Sequence, residues 1–195
     1  MIAWLLLAGC QPTEVAPAEP ASQRVVSLAP AITQVIVATQ PDLLVGYDAY
    51  SAELELPESS QDVGNPRQLS AEGVLSMEPS VVLYDDTAGP PEVLAQLTDA
   101  GVRMVQVPHP ASIEGVRTMM QTTGQALGLD VTGVQSVFDA SCATLPSRSE
   151  ASALFVYARG VGAMSVSGSD TAASSMLGLA GLRNAVTGYE GYKPL

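Results

Sequence analysis

Histidine occurs once and cysteine twice in the 195 residues. That scarcity excludes a conventional His/Cys zinc cluster and a disulfide-framework scaffold. Aromatic residues make up only 5%, too few for a stacking platform for bases or sugars. Cations are scarce as well: 8 Lys+Arg stand against 20 Asp+Glu, for a formal net charge of -12. Such a surface repels phosphate backbones and argues against a nucleic-acid partner. Catalytic signatures are missing too. There is no Gly-x-Ser-x-Gly elbow and no phosphate-cradling Walker sequence, and Gly160-Val161-Gly162 lacks the third glycine of a dinucleotide fingerprint. What is present is core-forming material. At 47% hydrophobic and 14% charged, the chain packs a body rather than a disordered tail, and its length suits one domain or two small lobes.

The N-terminus reads MIAWLLLAGC. Its apolar run, residues 2–8, is far too short for a bilayer, which needs about 20 apolar residues, but matches a signal-peptide core. Leu7-Ala8-Gly9-Cys10 resembles the lipobox of bacterial lipoproteins, which implies acylation of Cys10. Residues 1–10 are thus expected to be a lipoprotein signal, and the Pro/Ala/Glu-rich residues 11–23 a flexible tether. No Lys or Arg precedes the apolar run, so a buried N-terminal strand or helix is the alternative. Cys142 is then the remaining thiol, read as a small buried hydrophobe on a helix.

From residue 24 short apolar runs alternate with helix-length segments. Strands are expected at 24–28 (RVVSL), 43–47 (LLVGY), 80–84 (SVVLY) and 102–107 (VRMVQV). Helices are expected at 30–39 with Pro in the first turn, at 70–77 with Ser70 as N-cap, and at 91–100 closed by Gly101. A polar loop fills 48–62. Helical spacing covers 112–127 and 131–145, interrupted by Gly128; strands follow at 153–157 and 164–167, then a helix at about 171–179. Continuous apolar strands alternating with helices imply α/β layering around a mostly parallel sheet. The expected organisation is a first α/β lobe at 24–108, a helical connector at 109–150 and a partial second lobe at 151–195.

Residues 62–79, DVGNPRQLSAEGVLSMEP, carry the most telling pattern. Val63, Gly64, Arg67, Leu69, Ser70, Ala71, Glu72, Gly73, Val74 and Leu75, with Arg24–Leu28 and Thr33 upstream and Gly168–Asn184 and Gly191–Leu195 downstream, resemble the class III periplasmic substrate-binding proteins of ABC importers. Within that group of cobalamin, siderophore and haem receptors, the chain is most similar to the haemin-binding branch. The resemblance implies two Rossmann-like lobes joined by a long helix, with a ligand cleft between them. Family members continue well beyond the Tyr192-Lys193-Pro194-Leu195 element, so the second lobe is expected to be incomplete and the sequence a fragment.

The resemblance also implies site residues. Haem-binding members place an iron-ligating Tyr directly after the Val-Gly turn; here that residue is Asn65, which offers no anionic oxygen. Arg67 matches the Arg that holds a haem propionate, and suits it by its fork geometry, though pairing with a surface carboxylate is an equal alternative. A second-lobe His of some relatives corresponds to Arg159, which suits a propionate better than an iron. Glu72 matches a carboxylate that docks onto permease arginines, besides complementing a helix dipole. Tyr192 belongs to the second-lobe element. Substitute iron ligands are sought beyond the carboxyl ends of strands, where open α/β sheets gather ligands. Tyr47 and Tyr50 flank the loop after the second strand, while Tyr84, Tyr157 and His109 stand at later strand ends; partly buried tyrosines or an exposed loop histidine are the plain alternatives.

The expected function is therefore capture of haemin, as transported ligand and not resident cofactor, and its delivery to an ABC permease and ATPase by a lipid-anchored periplasmic protein without catalytic residues. Cobalamin or an iron-siderophore is the alternative ligand. A small α/β hydrolase- or reductase-like enzyme using His109 with Asp85 or Asp86 is the alternative of another class, and a truncated, inactive paralogue a third.

Overall fold

In the computed structural model, which describes residues 23–109, 112–158, 160 and 162–195, the first lobe is built on a parallel sheet. Its strands are β1 (Val25–Ser27), β2 (Leu44–Tyr47), β3 (Gln61–Asp62), β4 (Val81–Tyr84) and β5 (Arg103–Gln106), in the order β3-β2-β1-β4-β5. Every pairing in this sheet is parallel; Val25 lies opposite Leu44 on one side and Val81 on the other.

Alternation along the strands explains how both faces are covered. Val25, Leu44, Val81 and Leu83 point into one apolar cluster, and Val26 and Val82 into another. The first cluster is closed by helix α1 (Pro30–Thr39), whose Ile32, Val35 and Ile36 are buried at helical spacing. The second is closed by α2 (Ala71–Leu75) and α3 (Pro91–Asp99) through Val74 and Leu97. Burying each such side chain contributes about 1.5–3 kcal/mol. Strand β3 was not expected within the polar loop: its two residues are exposed and carry no apolar pattern.

The connector consists of two helices rather than a single long one. Helix α4 (Ile113–Leu127) begins at Ser112, whose hydroxyl accepts the Gly115 N–H, and ends where Gly128 turns left-handed at φ 69°. Helix α5 (Thr132–Cys142) follows. Met119, Met120 and Leu127 belong to the first cluster, and Phe138 packs against it. Arg117 ties the two helices by bonding Asp139 as well as Glu114.

The second lobe departs from the expected pattern. The single strand expected at 153–157 is broken into β6 (Ser152–Ala153) and β7 (Val156–Ala158), which lie in different sheets. Strand β8 (Met164–Ser167) folds back on β7 antiparallel, because Gly160 and Gly162 at φ 62° and 82° permit a tight return without a crossover helix. After helix α6 (Ala172–Leu179) come β9 (Arg183–Asn184), parallel to β6, and β10 (Tyr192–Pro194), antiparallel to β8. Neither of these short strands was anticipated. Among the described residues no helix is long and apolar enough to cross a membrane.

Candidate functional site

The order β3-β2-β1-β4-β5 reverses direction between β1 and β4, and the loops leaving the carboxyl ends of the strands collect there. Three of them join by backbone hydrogen bonds. The Ala49 N–H donates to the Gly64 carbonyl at 2.9 Å, stitching the turn after β2 to the Val63-Gly64 turn after β3. The Gly89 N–H donates to Pro66 O at 2.8 Å and the Leu69 N–H to Gly89 O at 3.1 Å, joining the Arg67 loop to the loop after β4.

Residues 64–69 form this edge for a clear reason. Gly64 has φ 92°, a left-handed turn that turns the chain out of β3. Pro66 and Leu69 are buried on either side of Arg67, so Asn65, Arg67 and Gln68 are left in solvent. The Asn65 side-chain oxygen accepts the Arg67 N–H at 2.9 Å, and the Tyr50 hydroxyl approaches it at 3.5 Å. Arg67 makes no ion pair or side-chain hydrogen bond among the described residues. The other first-lobe guanidiniums are spent: Arg24 on Met77 O and Glu78 O, and Arg103 on Ala126 O.

Beneath the turn after β2 lies a buried polar chain. Ser51 Oγ donates to Asp48 at 2.7 Å, lies 3.1 Å from Thr33 Oγ1, and Thr33 Oγ1 in turn lies 2.8 Å from Ser27 Oγ. All four residues are fully buried. Burial pushes the Asp48 carboxyl above its usual range, against the opposing bonds from the Ser51 hydroxyl and the Tyr50 N–H. This chain holds Tyr50, which is 57% exposed, at the rim beside Asn65. It was missed from the sequence, although Asp48-x-x-Ser51 is a turn signature that local side-chain bonding explains.

Past β4 and β5 the structure brings together a second pair. His109 Nδ1 lies 2.7 Å from Asp85 Oδ2, while Asp85 Oδ1 accepts both the hydroxyl and the N–H of Thr87. Asp85 is buried and His109 about half exposed. Burial alone would raise the Asp85 carboxyl, but the bonds from Thr87 and His109 together hold it below its usual range. Asp86 stands exposed beside them, with one ligand atom of each of the three residues within 4.8 Å of the others.

The remaining candidates are placed differently. Tyr84, half-buried, packs against the second apolar cluster, and Tyr47 packs against the first. Glu72 is exposed in the first turn of α2. Tyr157 on β7 and Tyr192 on β10 are exposed on the two strands flanking β8. Arg159 and Cys10 lie outside the described residues. Cys142 is half-buried rather than fully buried, and it helps to line an apolar cavity of about 380 Å³ with Ile113, Val116, Phe138, Leu145 and Met176. That cavity contains none of the candidate residues.

A parallel sheet with its polar loops at a switch point, joined through a helical connector to a second, smaller lobe, defines a class of α/β binding proteins. The comparisons give the family. The profile of the periplasmic binding protein family matches residues 25–194, and the chain belongs to that family. It is similar to the periplasmic heme-binding protein RhuT from Roseiflexus sp. RS-1, at 34% identity and TM-score 0.75 over 89% of this chain and 70% of that one. It is also similar to the periplasmic heme-binding protein HutB of Vibrio cholerae (28%, TM-score 0.78, 90% and 70%). A periplasmic heme-binding protein from Pseudomonas aeruginosa matches at 30% and TM-score 0.74, over 89% and 66%. No curated protein matches the chain. Membership makes this chain a periplasmic binding protein, the substrate-binding component of an importer rather than an enzyme.

Proposed function

We propose that the chain captures haem at the carboxyl edge of its first lobe and delivers it to an ABC permease and its ATPase. The observation that carries this reading is Arg67: a guanidinium unpaired among the described residues, on the carboxyl-edge loop of a strongly acidic protein, in the company of relatives named for haem binding. A carboxylate such as a haem propionate meets that fork bidentately. Asn65 shares the rim with Arg67, and Tyr157, Tyr192 and, from the sequence, Arg159 supply the second-lobe contacts. Tyr84 is the weaker contact, because its ring is already packed. On this reading the lobes are 24–108 and a partial 151–195, with 109–150 as the helical connector between them. Glu72, exposed on the short helix after the Arg67 loop, is the docking carboxylate for a permease arginine. Cys10 carries the lipid anchor after removal of residues 1–9, with residues 11–23 as tether.

Titrating the chain with hemin and following the Soret band tests the reading. A saturable shift at one equivalent is expected. Absence of a shift from a folded protein overturns haem and leaves a cobalamin or iron-siderophore ligand, which Asn65 in place of an anionic oxygen favours.

A further inference from the structure

Asp85 and His109 stand at the ends of adjacent strands, and the mechanism of capture by Arg67 uses neither. Asp85 is buried, and both its oxygens are engaged: Oδ1 accepts two bonds from Thr87 at 2.6 and 2.9 Å, and Oδ2 faces His109 Nδ1 at 2.7 Å. An ionised carboxylate can only accept, so Nδ1 carries the proton, and in the neutral ring Nε2 keeps its lone pair. Nε2 has no partner among the described residues, and the ring is half exposed at the carboxyl edge of the sheet. A bare cation bound by Asp85, Asp86 and His109 together would have to displace the Thr87 or His109 bonds that Asp85 already accepts. A metal approaching from solvent meets Nε2 with no such cost. This is the arrangement that metal-binding proteins use, in which a carboxylate fixes the tautomer and ring orientation of a ligating histidine and raises its basicity. The loop that follows Asp85 is the one bonded to the Arg67 loop through Gly89, so the imidazole and the guanidinium belong to one connected rim.

We propose that His109 Nε2 is the protein's axial donor to the iron of its ligand, with Asp85 as the residue that positions it. The proposal rests on the haem reading above. It assigns the ligand a metal with an open axial position, and thereby separates it from fully chelated iron, which needs no protein donor.

The chain contains a single histidine, so labelling it with ¹⁵N-histidine marks His109 alone. The full chain, loaded with one equivalent of ferric hemin, is examined by pulsed electron paramagnetic resonance beside the unlabelled protein. A directly coordinated ¹⁵N coupling is expected. It should vanish in His109→Ala, and Asp85→Asn should weaken hemin affinity about 10–100-fold while His109→Ala keeps its fold by circular dichroism. Saturable hemin binding with no ¹⁵N coupling overturns the proposal and leaves the haem reading standing. No hemin binding by the unmodified chain overturns the haem reading, and this proposal with it. A coupling and affinity unchanged in Asp85→Asn overturn the positioning role.

Discussion

Replacing Thr33 by Val removes one hydroxyl from the buried chain under the rim while keeping the side chain's shape. Its oxygen lies 2.8 Å from Ser27 Oγ, 3.1 Å from Ala29 O and 3.1 Å from Ser51 Oγ, with no exposure to solvent. All three neighbours keep another partner: Ser51 still donates to Asp48, Ser27 still reaches Ala29 O, and Ala29 O still accepts the Thr33 N–H at 3.0 Å. The loss is therefore less than that of three orphaned groups and more than that of one exchanged bond. A net hydrogen bond is worth about 0.5–1.5 kcal/mol and this oxygen makes more than one, so the expected destabilisation is about 1–3 kcal/mol. Urea unfolding followed by circular dichroism gives the midpoint and slope of wild type, Thr33→Val and Thr33→Ser. The serine variant keeps the oxygen and should retain most of the stability, losing only a buried methyl, about 1 kcal/mol. A Thr33→Val midpoint equal to wild type at unchanged slope would show that the hydroxyl chain contributes nothing to the fold.

The two buried aspartates should give pH dependences of opposite sign. Asp85, held below its ordinary value of 3.8, contributes stability that is present above that value and lost as pH falls through its depressed folded value. Asp48 is raised, so its contribution is present below 3.8 and lost as pH rises through its folded value. Urea midpoints of Asp85→Asn and Asp48→Asn from acid to neutral pH should each lack one of these limbs; parallel curves would refute the assignment. Arg67→Ala should weaken hemin binding about 10-fold, the equivalent of 1.4 kcal/mol, with Arg67→Lys intermediate, both read by Soret titration. Glu72→Lys should leave hemin affinity unchanged and abolish uptake through the reconstituted importer, as expected of a docking charge and not of a ligand contact. Hydrogen exchange should be slowest in β1, β4 and α1 and faster throughout β7, β8 and α6, where only Val166 and Ala173 are buried hydrophobics.

How much of the fold could be read in advance depended on where burial was two-sided. Strands β1 and β4 are buried on both faces, so Val and Leu stand next to one another in them rather than alternating with polar residues, and their positions were legible to within a residue. Helix α1 announced itself through its first-turn proline, and α2 through the capping hydroxyl of Ser70. Beyond residue 150 the same signals thin out. Strand β7 is exposed along its whole length, and β9 and β10 have only two and three residues, β9 pairing parallel with β6 and β10 antiparallel with β8. An apolar run such as Ala153–Tyr157 says that a segment can be extended; it does not say which of two sheets each half joins.

The site was legible by a different route and to a different depth. Arg67 stood out because it lies in an ordered pattern with Gly64 and Leu69, and the structure supplies the reason for that spacing: the glycine turns the chain, the buried leucine anchors it, and the arginine between them is left in solvent. The pairing of His109 with Asp85 rests on residues separated by 24 positions, and no local pattern encodes it. It arises because β4 and β5 are parallel neighbours, with Tyr84 opposite Gln106, so that the segments leaving their carboxyl ends run side by side and His109 reaches Asp85. Sequence alone could name the histidine and the two aspartates; only the folded structure shows that Asp85 rather than Asp86 faces Nδ1. That choice leaves Nε2 without a partner among the described residues.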